Sequence, residues 1–231
     1  MCERDSNDDI LRGNELTRRR FGALGLSAGL AALLPPVANA VEVTESEVEI
    51  KTPDGTCDAH FVHPANPTAA VLVWPDIFGL RPAFRTMGKR LAESGYAVLT
   101  VNPFYRSLKG APADREAAFA TARTLNATTH VNDAKAFVAW LDAQRAVDRN
   151  RKIGTTGYCM GGPIVMRTAA AVPDRIGAGC SFHGGGLNTD APDSPHLLIP
   201  QMKASFLIAI ADNDDQSNPT SKDILRKAFD D

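Results

Sequence analysis

The chain has 231 residues, 44% hydrophobic and 23% charged, with 25 Lys and Arg against 27 Asp and Glu. The formal net charge of −2 argues against a nucleic-acid-binding protein, which normally carries a basic excess. The composition is also too hydrophobic and too balanced for a disordered chain. Four cysteines without a CxxC pair favour neither a zinc site nor a disulfide framework.

The first forty residues have the order of an export signal. Residues 17–21, Thr-Arg-Arg-Arg-Phe, precede an apolar run over 22–34 and an Ala-Asn-Ala segment that ends at Ala40. A basic segment, a short apolar segment and an Ala-x-Ala site are typical of a cleaved signal peptide. The run is too short to span a bilayer stably. The paired arginines resemble a twin-arginine signal, so we expect a twin-arginine-type signal peptide over 1–40, export by the twin-arginine machinery, and a periplasmic or secreted protein.

Residues 41–231 are predicted to form one domain in which short apolar runs alternate with helical patterns. Strands are predicted at 41–51, 57–62, 69–74, 96–101, 152–156, 177–182 and 205–211. Helices are predicted at 84–94, 160–172 and 219–229, and as two helices between 114 and 145, broken near 126–129. Wholly apolar runs followed by helices are typical of parallel strands buried on both faces. The pattern predicts an α/β fold with a mainly parallel, doubly wound sheet.

A candidate nucleophile lies where one of these strands meets the next helix. Residues 157–162 read Gly-Tyr-Cys-Met-Gly-Gly, the G-x-S-x-G nucleophile elbow with Cys in place of Ser. The glycines permit a sharp turn that exposes Cys159, and the helix N-terminus is expected to stabilise its thiolate. The alternative is a small buried thiol in an ordinary turn.

Four separated segments in this order resemble the dienelactone hydrolase family of α/β hydrolases, and the resemblance extends from about Val41 to the end. They are residues 74–79 (WPDIFG), 90–97 (RLAESGYA), 103–106 (PFYR) and 157–162 (GYCMGG). The resemblance implies a sheet of the α/β-hydrolase type and a Cys-His-Asp triad that hydrolyses an ester or lactone through an acyl-enzyme.

The resemblance also assigns roles to individual residues. Cys159 becomes the nucleophile, and the backbone N–H groups of Ile77 and Met160 form an oxyanion hole. Asp76 stands where the family usually has a Glu that interacts with the resting Cys. The shorter Asp76 is alternatively a loop-capping residue.

The triad acid is expected in the acidic segment 212–215, which follows the last predicted strand. Aligning the usual G-x-x-D on Ala211 selects Asp214, which we favour, whereas counting back from Pro219 selects Asp215. The alternative for either Asp is a solvated helix-capping residue.

The triad base is not found in the sequence. The family places a His after one further strand, and no His follows His196 in the 231 residues. We therefore expect a domain that is C-terminally truncated relative to the family. His183, which follows a strand in a glycine-rich segment, is interpreted as pocket lining, with a replacement base as the alternative.

Other residues are predicted to act on the substrate. Arg81 and Arg85 follow the oxyanion loop and can bind a substrate carboxylate, and Tyr105 follows a strand on the active-site side. Cys57 and Cys180 are a possible disulfide in an oxidising compartment, or two small core residues.

The leading hypothesis is therefore an exported hydrolase of a small ester or lactone. A truncated, catalytically impaired homologue that only binds ligand is the alternative, and a redox role for Cys159 is disfavoured because no resolving Cys stands nearby. No cofactor is expected, since no nucleotide-binding glycine fingerprint follows the first buried strand. No metal is expected either, since the five His show no ligand spacing.

Overall fold

The structure, a computed structural model, describes residues 41–230, so the predicted signal peptide at 1–40 lies outside the described residues. The strands are β1 (Val43–Thr52), β2 (Gly55–Pro64), β3 (Ala70–Trp74), β4 (Ala97–Val101), β5 (Ile153–Tyr158), β6 (Ile176–Phe182) and β7 (Ser205–Ala209). The helices are α1 (Pro82–Ala92), α2 (Arg115–Ala122), α3 (Ala127–Asp142), α4 (Gly161–Ala171), α5 (Asp212–Ser217) and α6 (Ser221–Asp230). A 3₁₀ helix, Pro195–Gln201, precedes β7. Within this range no helix has the length and apolar character needed to cross a membrane.

The strands form one sheet in the order β1-β2-β4-β3-β5-β6-β7. β1 and β2 are antiparallel to their neighbours, whereas β4, β3, β5, β6 and β7 run parallel. The α/β class and the mainly parallel sheet predicted from the sequence are confirmed. The chain continues from β3 towards one edge and from β5 towards the other, so the carboxyl ends of these two strands form the crevice where such sheets bind ligands.

Hydrophobic cores on both faces of the sheet explain the continuous apolar runs. All five residues of β4 are buried. On one face Leu72 and Leu99 belong to a cluster with Phe137 of α3, and on the other Val73 packs with Phe84 of α1. Side chains that point to either face of the sheet are therefore buried, as expected for parallel strands covered by helices on each side.

The helix boundaries follow local capping chemistry. The break predicted near 126–129 is confirmed, because the Asn126 side chain accepts a hydrogen bond from the Thr129 N–H, while Thr129 Oγ1 accepts one from the Asn126 N–H. The acidic segment 212–215 lies in the short helix α5. Its first turn holds Asp212, Asp214 and Asp215, and carboxylates there are favoured by the helix macrodipole.

Cys57 and Cys180 do not pair. Both are free thiols, one in β2 and the other in β6. Four strand-to-strand steps separate β2 from β6 in the sheet order, which amounts to about 19 Å at the usual strand spacing. A disulfide requires Cα atoms within about 7 Å, so the pairing interpretation is wrong and both residues are small side chains of the sheet.

Candidate active site

The predicted site residues come from four segments that follow parallel strands. Ile77 lies after β3, Cys159 after β5, His183 after β6 and Asp214 in α5 after β7. Carboxyl ends of parallel strands share one edge of a sheet, so the topology gathers these residues at the crevice.

The turn around Cys159 has the geometry of a nucleophile elbow. Cys159 has a φ of 54°, in the left-handed region that L-residues rarely adopt. A Cβ at Gly157 would lie 2.2 Å from the Gly161 carbonyl oxygen, and a Cβ at Gly161 would lie 2.4 Å from that of Trp74. The two glycines are therefore required for the close approach of α4 to β5 and β3, which leaves the Cys159 side chain half-buried at the sheet edge.

The electrostatic environment of Cys159 differs from the expectation based on the helix N-terminus. Burial raises the pKa of Cys159 above its ordinary value, and the carboxylates of Asp76 and Asp214 raise it further. A hydrogen bond from the Met160 N–H lowers the pKa without outweighing burial. At neutral pH the resting residue is a protonated thiol, so a nucleophilic role requires a group that removes its proton.

The loop after β3 is a tight turn that exposes one backbone donor. The Gly79 N–H donates to the Asp76 carbonyl oxygen at 2.9 Å, and the Phe78 N–H donates to Asp76 Oδ1 at 2.9 Å. Gly79 has a φ of 63°, and a Cβ there would lie 3.1 Å from the Phe104 ring. Within residues 41–230 the Ile77 N–H has no hydrogen-bond acceptor. The turn thus leaves the Ile77 N–H available to a ligand oxygen.

Asp76 caps its loop by accepting the Phe78 N–H, and its negative charge also raises the pKa of Cys159. The loop-capping role and the interaction with the resting Cys, both considered from the sequence, therefore each have a counterpart in the structure. The Asp76 carboxylate accepts two parallel hydrogen bonds from Arg81, one of them 2.8 Å long between Nη2 and Oδ2. The Arg81 guanidinium lies over the Phe84 ring at 4.8 Å.

Arg85 instead pairs with Glu47 of β1. Of the two predicted carboxylate-binding arginines, Arg81 therefore lies nearer the reacting centre, and a ligand must compete with Asp76 for it.

Replacing Asp76 with Asn is expected to lower the pKa of Cys159, because a negative charge that opposes the thiolate is removed and Arg81 loses its counter-ion. The Asn side-chain oxygen can still accept the Phe78 N–H, so the turn is kept. The measurement is the rate of Cys159 alkylation by iodoacetamide against pH, followed by peptide mass spectrometry. The matched control is Asp215→Asn, and an Asp76→Asn profile unchanged from wild type would contradict the electrostatic account.

The structure separates the two candidate acids. Asp214 Oδ2 lies 3.4 Å from His183 Nδ1, and Asp214 is also one of the charges that act on Cys159. Asp215 Oδ2 instead accepts a hydrogen bond from Lys222 Nζ at 2.7 Å. Asp214 is thus brought to the site and Asp215 to a surface ion pair. Sequence reasoning missed the contact between His183 and Asp214, because no local pattern links a residue after β6 to one after β7.

Tyr105 lies in a buried polar network. Its hydroxyl donates to Asp133 Oδ1 at 2.7 Å and contacts Thr52 Oγ1 at 2.7 Å. Arg106 donates to both oxygens of Asp133, and its guanidinium lies 4.5 Å from the Tyr105 ring centre. Burial raises the pKa of Tyr105, so the phenol is neutral. The described contacts of Tyr105 tie β1, β4 and α3 together rather than reaching Cys159.

Outside the crevice, the described residues form a cavity but no cluster of metal ligands. A cavity of about 520 Å³ between β7 and α6 is lined by Phe206, Leu225 and Phe229 among others, and Cys159 is not part of its wall. Among the residues that the structure describes, no three His, Cys, Asp or Glu side chains are grouped so as to hold a metal ion. The crevice beside Cys159 is therefore the place where the candidate chemistry is gathered.

Comparisons with known proteins identify the family to which the sequence resemblance points. Residues 57–231 match the model of the dienelactone hydrolase family. The chain is 29% identical over 167 residues to a carboxymethylenebutenolidase of Rhodococcus opacus, covering 71% of this chain and 62% of that protein. It is 32% identical over 146 residues to carboxymethylenebutenolidase 2 of Cupriavidus pinatubonensis, covering 62% of this chain and 58% of that protein. The chain thus spans about 60% of the length of these two curated relatives.

A solved structure extends the likeness to the fold. The dienelactone hydrolase of Anabaena variabilis superposes with a TM-score of 0.58 at 20% identity, covering 80% of this chain and 81% of that one. At this identity the superposition concerns the arrangement of strands and helices alone.

Proposed function

Because this chain belongs to the dienelactone hydrolase family, we propose that it hydrolyses an ester or lactone through an acyl-enzyme on Cys159. The observation that carries the proposal is the left-handed backbone of Cys159, with a φ of 54°, at a glycine-flanked turn from strand to helix. The carboxymethylenebutenolidases among its relatives support a lactone or ester as the class of substrate.

In the proposed reaction the Cys159 thiolate attacks the carbonyl carbon of the substrate. The developing oxyanion accepts hydrogen bonds from the N–H groups of Met160 and Ile77, each worth roughly 10²–10³ in rate. The C–O bond to the alcohol then breaks, and the departing alkoxide takes up the proton that the thiol gave up before the attack. Water hydrolyses the thioester left on Cys159, which releases the carboxylic acid and restores the thiol. Support for this arrangement comes from the Met160 N–H directed at the Cys159 sulfur and from the Ile77 N–H without an internal acceptor.

Asp214 is the acid of this mechanism, supported by its place beside His183 and by its electrostatic effect on Cys159. Arg81 is the proposed contact for a substrate carboxylate, since its planar fork suits a carboxylate and already holds one, that of Asp76. A substrate with a carboxylate near its ester is therefore expected to be preferred over a neutral one.

The acyl-enzyme is tested by mixing the protein with an activated nitrophenyl ester and analysing the quenched mixture by peptide mass spectrometry. We expect an acyl group on the peptide that contains Cys159 and steady release of nitrophenol. Turnover without an adduct at Cys159 would overturn the mechanism. Ligand binding with neither adduct nor turnover would support the alternative of a homologue that only binds ligand.

Export is a separate part of the proposal and rests on the leader sequence alone. Paired arginines, a short apolar run and an Ala-x-Ala site occur in order within residues 1–40. Replacing Arg18 and Arg19 with Lys is expected to leave uncleaved protein in the cytoplasmic fraction, whereas the wild-type chain is found cut near Ala40 outside the cytoplasm. A wild-type chain that stays cytoplasmic and uncut would contradict export.

A further inference from the structure

A second, smaller cavity of about 330 Å³ lies between the segment that follows β6 and the beginning of α6. Residues 188–190 and His196 form one side of its wall, and Asn218, Thr220 and Ile224 form the other. These residues define what we call the polar pocket. It shares no wall residue with the larger cavity between β7 and α6. Its volume falls within the range of small-molecule pockets, roughly 300–1,000 Å³.

The imidazole of His196 is held in one tautomer by Ser194. Ser194 is 1% exposed, and its Oγ accepts the Thr189 N–H at 2.8 Å and lies 2.8 Å from His196 Nδ1. The Ser194 hydroxyl proton has no other acceptor in the described part of the chain, so it is donated to Nδ1. In the neutral ring the proton of the imidazole then lies on Nε2. His196 therefore contributes to the wall an N–H donor that has no partner among residues 41–230.

Two amide side chains of the wall are oriented by neighbouring hydroxyl groups. Asn188 Oδ1 accepts a hydrogen bond from Ser221, and Asn218 Oδ1 accepts one from Thr220 at 3.3 Å. Because both oxygens are engaged, each amide keeps its NH₂ group for another partner, and the residues that the structure describes provide none. The polar pocket thus has N–H donors on three side chains, each fixed by a neighbour that is not itself a ligand contact.

Asp190 supplies the complementary acceptor and decides the charge of the ligand. Its carboxylate has neither a hydrogen bond nor an ion pair within residues 41–230. The described wall holds no Lys or Arg, so an anionic ligand would meet an unopposed negative charge, while the N–H donors disfavour a cation. One carboxylate and one imidazole are also too few to hold a metal ion. The wall therefore suits a neutral ligand that both accepts and donates hydrogen bonds.

Hydroxyl groups match this set of partners. A hydroxyl accepts one hydrogen bond and donates another, so adjacent hydroxyls can accept from the N–H groups and donate to the carboxylate. Ile224, which is 41% exposed, adds an apolar patch against which the C–H face of a sugar ring can pack. We propose that the polar pocket binds a sugar or another polyol as the alcohol part of the ester in the proposed function, on which this inference rests.

The sheet order places Arg81 and the polar pocket on opposite sides of Cys159. β3, which precedes Arg81, is one neighbour of β5, whereas β6 is the other and β7 lies beyond it. The Asn218 N–H donates to the Asp214 carbonyl oxygen at 3.0 Å, and four residues of α5 span about 6 Å. The pocket therefore begins close to the proposed acid. The Arg81 side suits an acyl part with a carboxylate, and the pocket suits the hydroxyls that a polyol keeps when one of them is esterified.

Binding is measured directly, without ester turnover, by titration calorimetry with methyl glucoside, methyl galactoside and glycerol. The proteins are wild type, Asp190→Ala, His196→Phe and the matched control Asp193→Ala. Asp193 lies in the same segment, outside the wall of the pocket, and its side chain is 59% exposed. We expect at least one of the three polyols to saturate wild type at roughly millimolar concentration. Both pocket variants should weaken that binding about tenfold, while Asp193→Ala follows wild type.

The ring nitrogens of His196 give an independent measurement in the unmodified protein. In a sample with isotopically labelled histidine, the Nε2 resonance of His196 is assigned by its absence from His196→Phe. The polyol that binds is expected to shift this resonance and to leave that of His63, in β2, unchanged. Should the Phe variant unfold because the buried Ser194 hydroxyl loses its acceptor, binding to Asp190→Ala carries the test.

Ester selectivity connects the polar pocket to the reaction. Wild type is expected to have a kcat/KM at least tenfold higher for a monoacetylated methyl glycoside of the sugar that binds, or for monoacetylglycerol if glycerol binds, than for ethyl acetate. This ratio should fall towards one in Asp190→Ala and stay at the wild-type value in Asp193→Ala. A ratio near one in wild type would overturn the assignment of the pocket to the alcohol part of the substrate.

The outcomes separate this inference from the proposed function. If wild type binds none of the three polyols, or if binding survives in both pocket variants, the inference is wrong and an acyl-enzyme on Cys159 is unaffected. If a polyol binds at the pocket and neither ester is turned over, the proposed function is wrong and the pocket remains a polyol site.

Discussion

Cys159→Ala is expected to lower kcat/KM for an ester or lactone by roughly 10⁴-fold or more, because it removes the atom that forms the acyl bond. The fold should survive, since Ala is smaller than Cys and the strained turn is held by backbone hydrogen bonds and by its flanking glycines. Initial rates with a nitrophenyl ester, measured beside the thermal unfolding midpoint, give the result.

The matched control for this substitution is Cys180→Ala. Cys180 is a free, partly buried thiol of β6 in the strand beside Cys159 and has no assigned role in the reaction. Its replacement should leave turnover close to wild type and thereby show that the loss is specific to position 159. Equal turnover in wild type and Cys159→Ala would exclude a Cys acyl-enzyme, whatever the effect of the control.

Asp133→Ala is expected to lower the free energy of unfolding by about 2–4 kcal/mol, because it removes the shared acceptor of a buried hydrogen-bond network. Asp133 is 1% exposed and accepts hydrogen bonds from Tyr105 and from both Nη atoms of Arg106. Removing it leaves the Arg106 charge with Asp54 as its remaining partner. Burial already raises the pKa of Asp133, so part of its own desolvation cost is recovered, which keeps the loss moderate.

Denaturant titration of Asp133→Ala measures this loss, and Asp174→Ala is the control. Asp174 pairs with Lys203 on the surface, where both side chains are mostly exposed, so its removal should leave the unfolding midpoint unchanged within error. An Asp133→Ala protein as stable as wild type would show that the buried network does not hold β1, β4 and α3 together.

The amino-acid sequence determined the alternation of strands and helices and the position of the elbow. Buried strands read as apolar runs because both faces of a parallel sheet are covered, and this pattern is local. The break before α3 could also be predicted, since the side chains of Asn126 and Thr129 each accept a hydrogen bond from the other residue's backbone N–H within one turn. The turn at Cys159 could be predicted for a similar reason, because Gly157 and Gly161 mark the place where the backbone of α4 closely approaches those of β5 and β3.

Only the tertiary structure decided how the candidate site residues are grouped. Asp214 and Asp215 are adjacent in sequence, and the direction of α5 turns one carboxylate to His183 and the other to Lys222. Tyr105, predicted to contact substrate, is hydrogen-bonded to an Asp of α3 that no motif singled out.

The order of the strands and the environment of the thiol were also beyond the sequence. Sheet order places four strand spacings between Cys57 and Cys180, although nothing in either strand records its neighbours. The helix N-terminus alone suggested a stabilised thiolate at Cys159, whereas burial and carboxylates from two other segments raise its pKa. Periodicity and turn chemistry act over a few residues and are written in the sequence, while burial, charge and distance between segments exist only once the chain has folded.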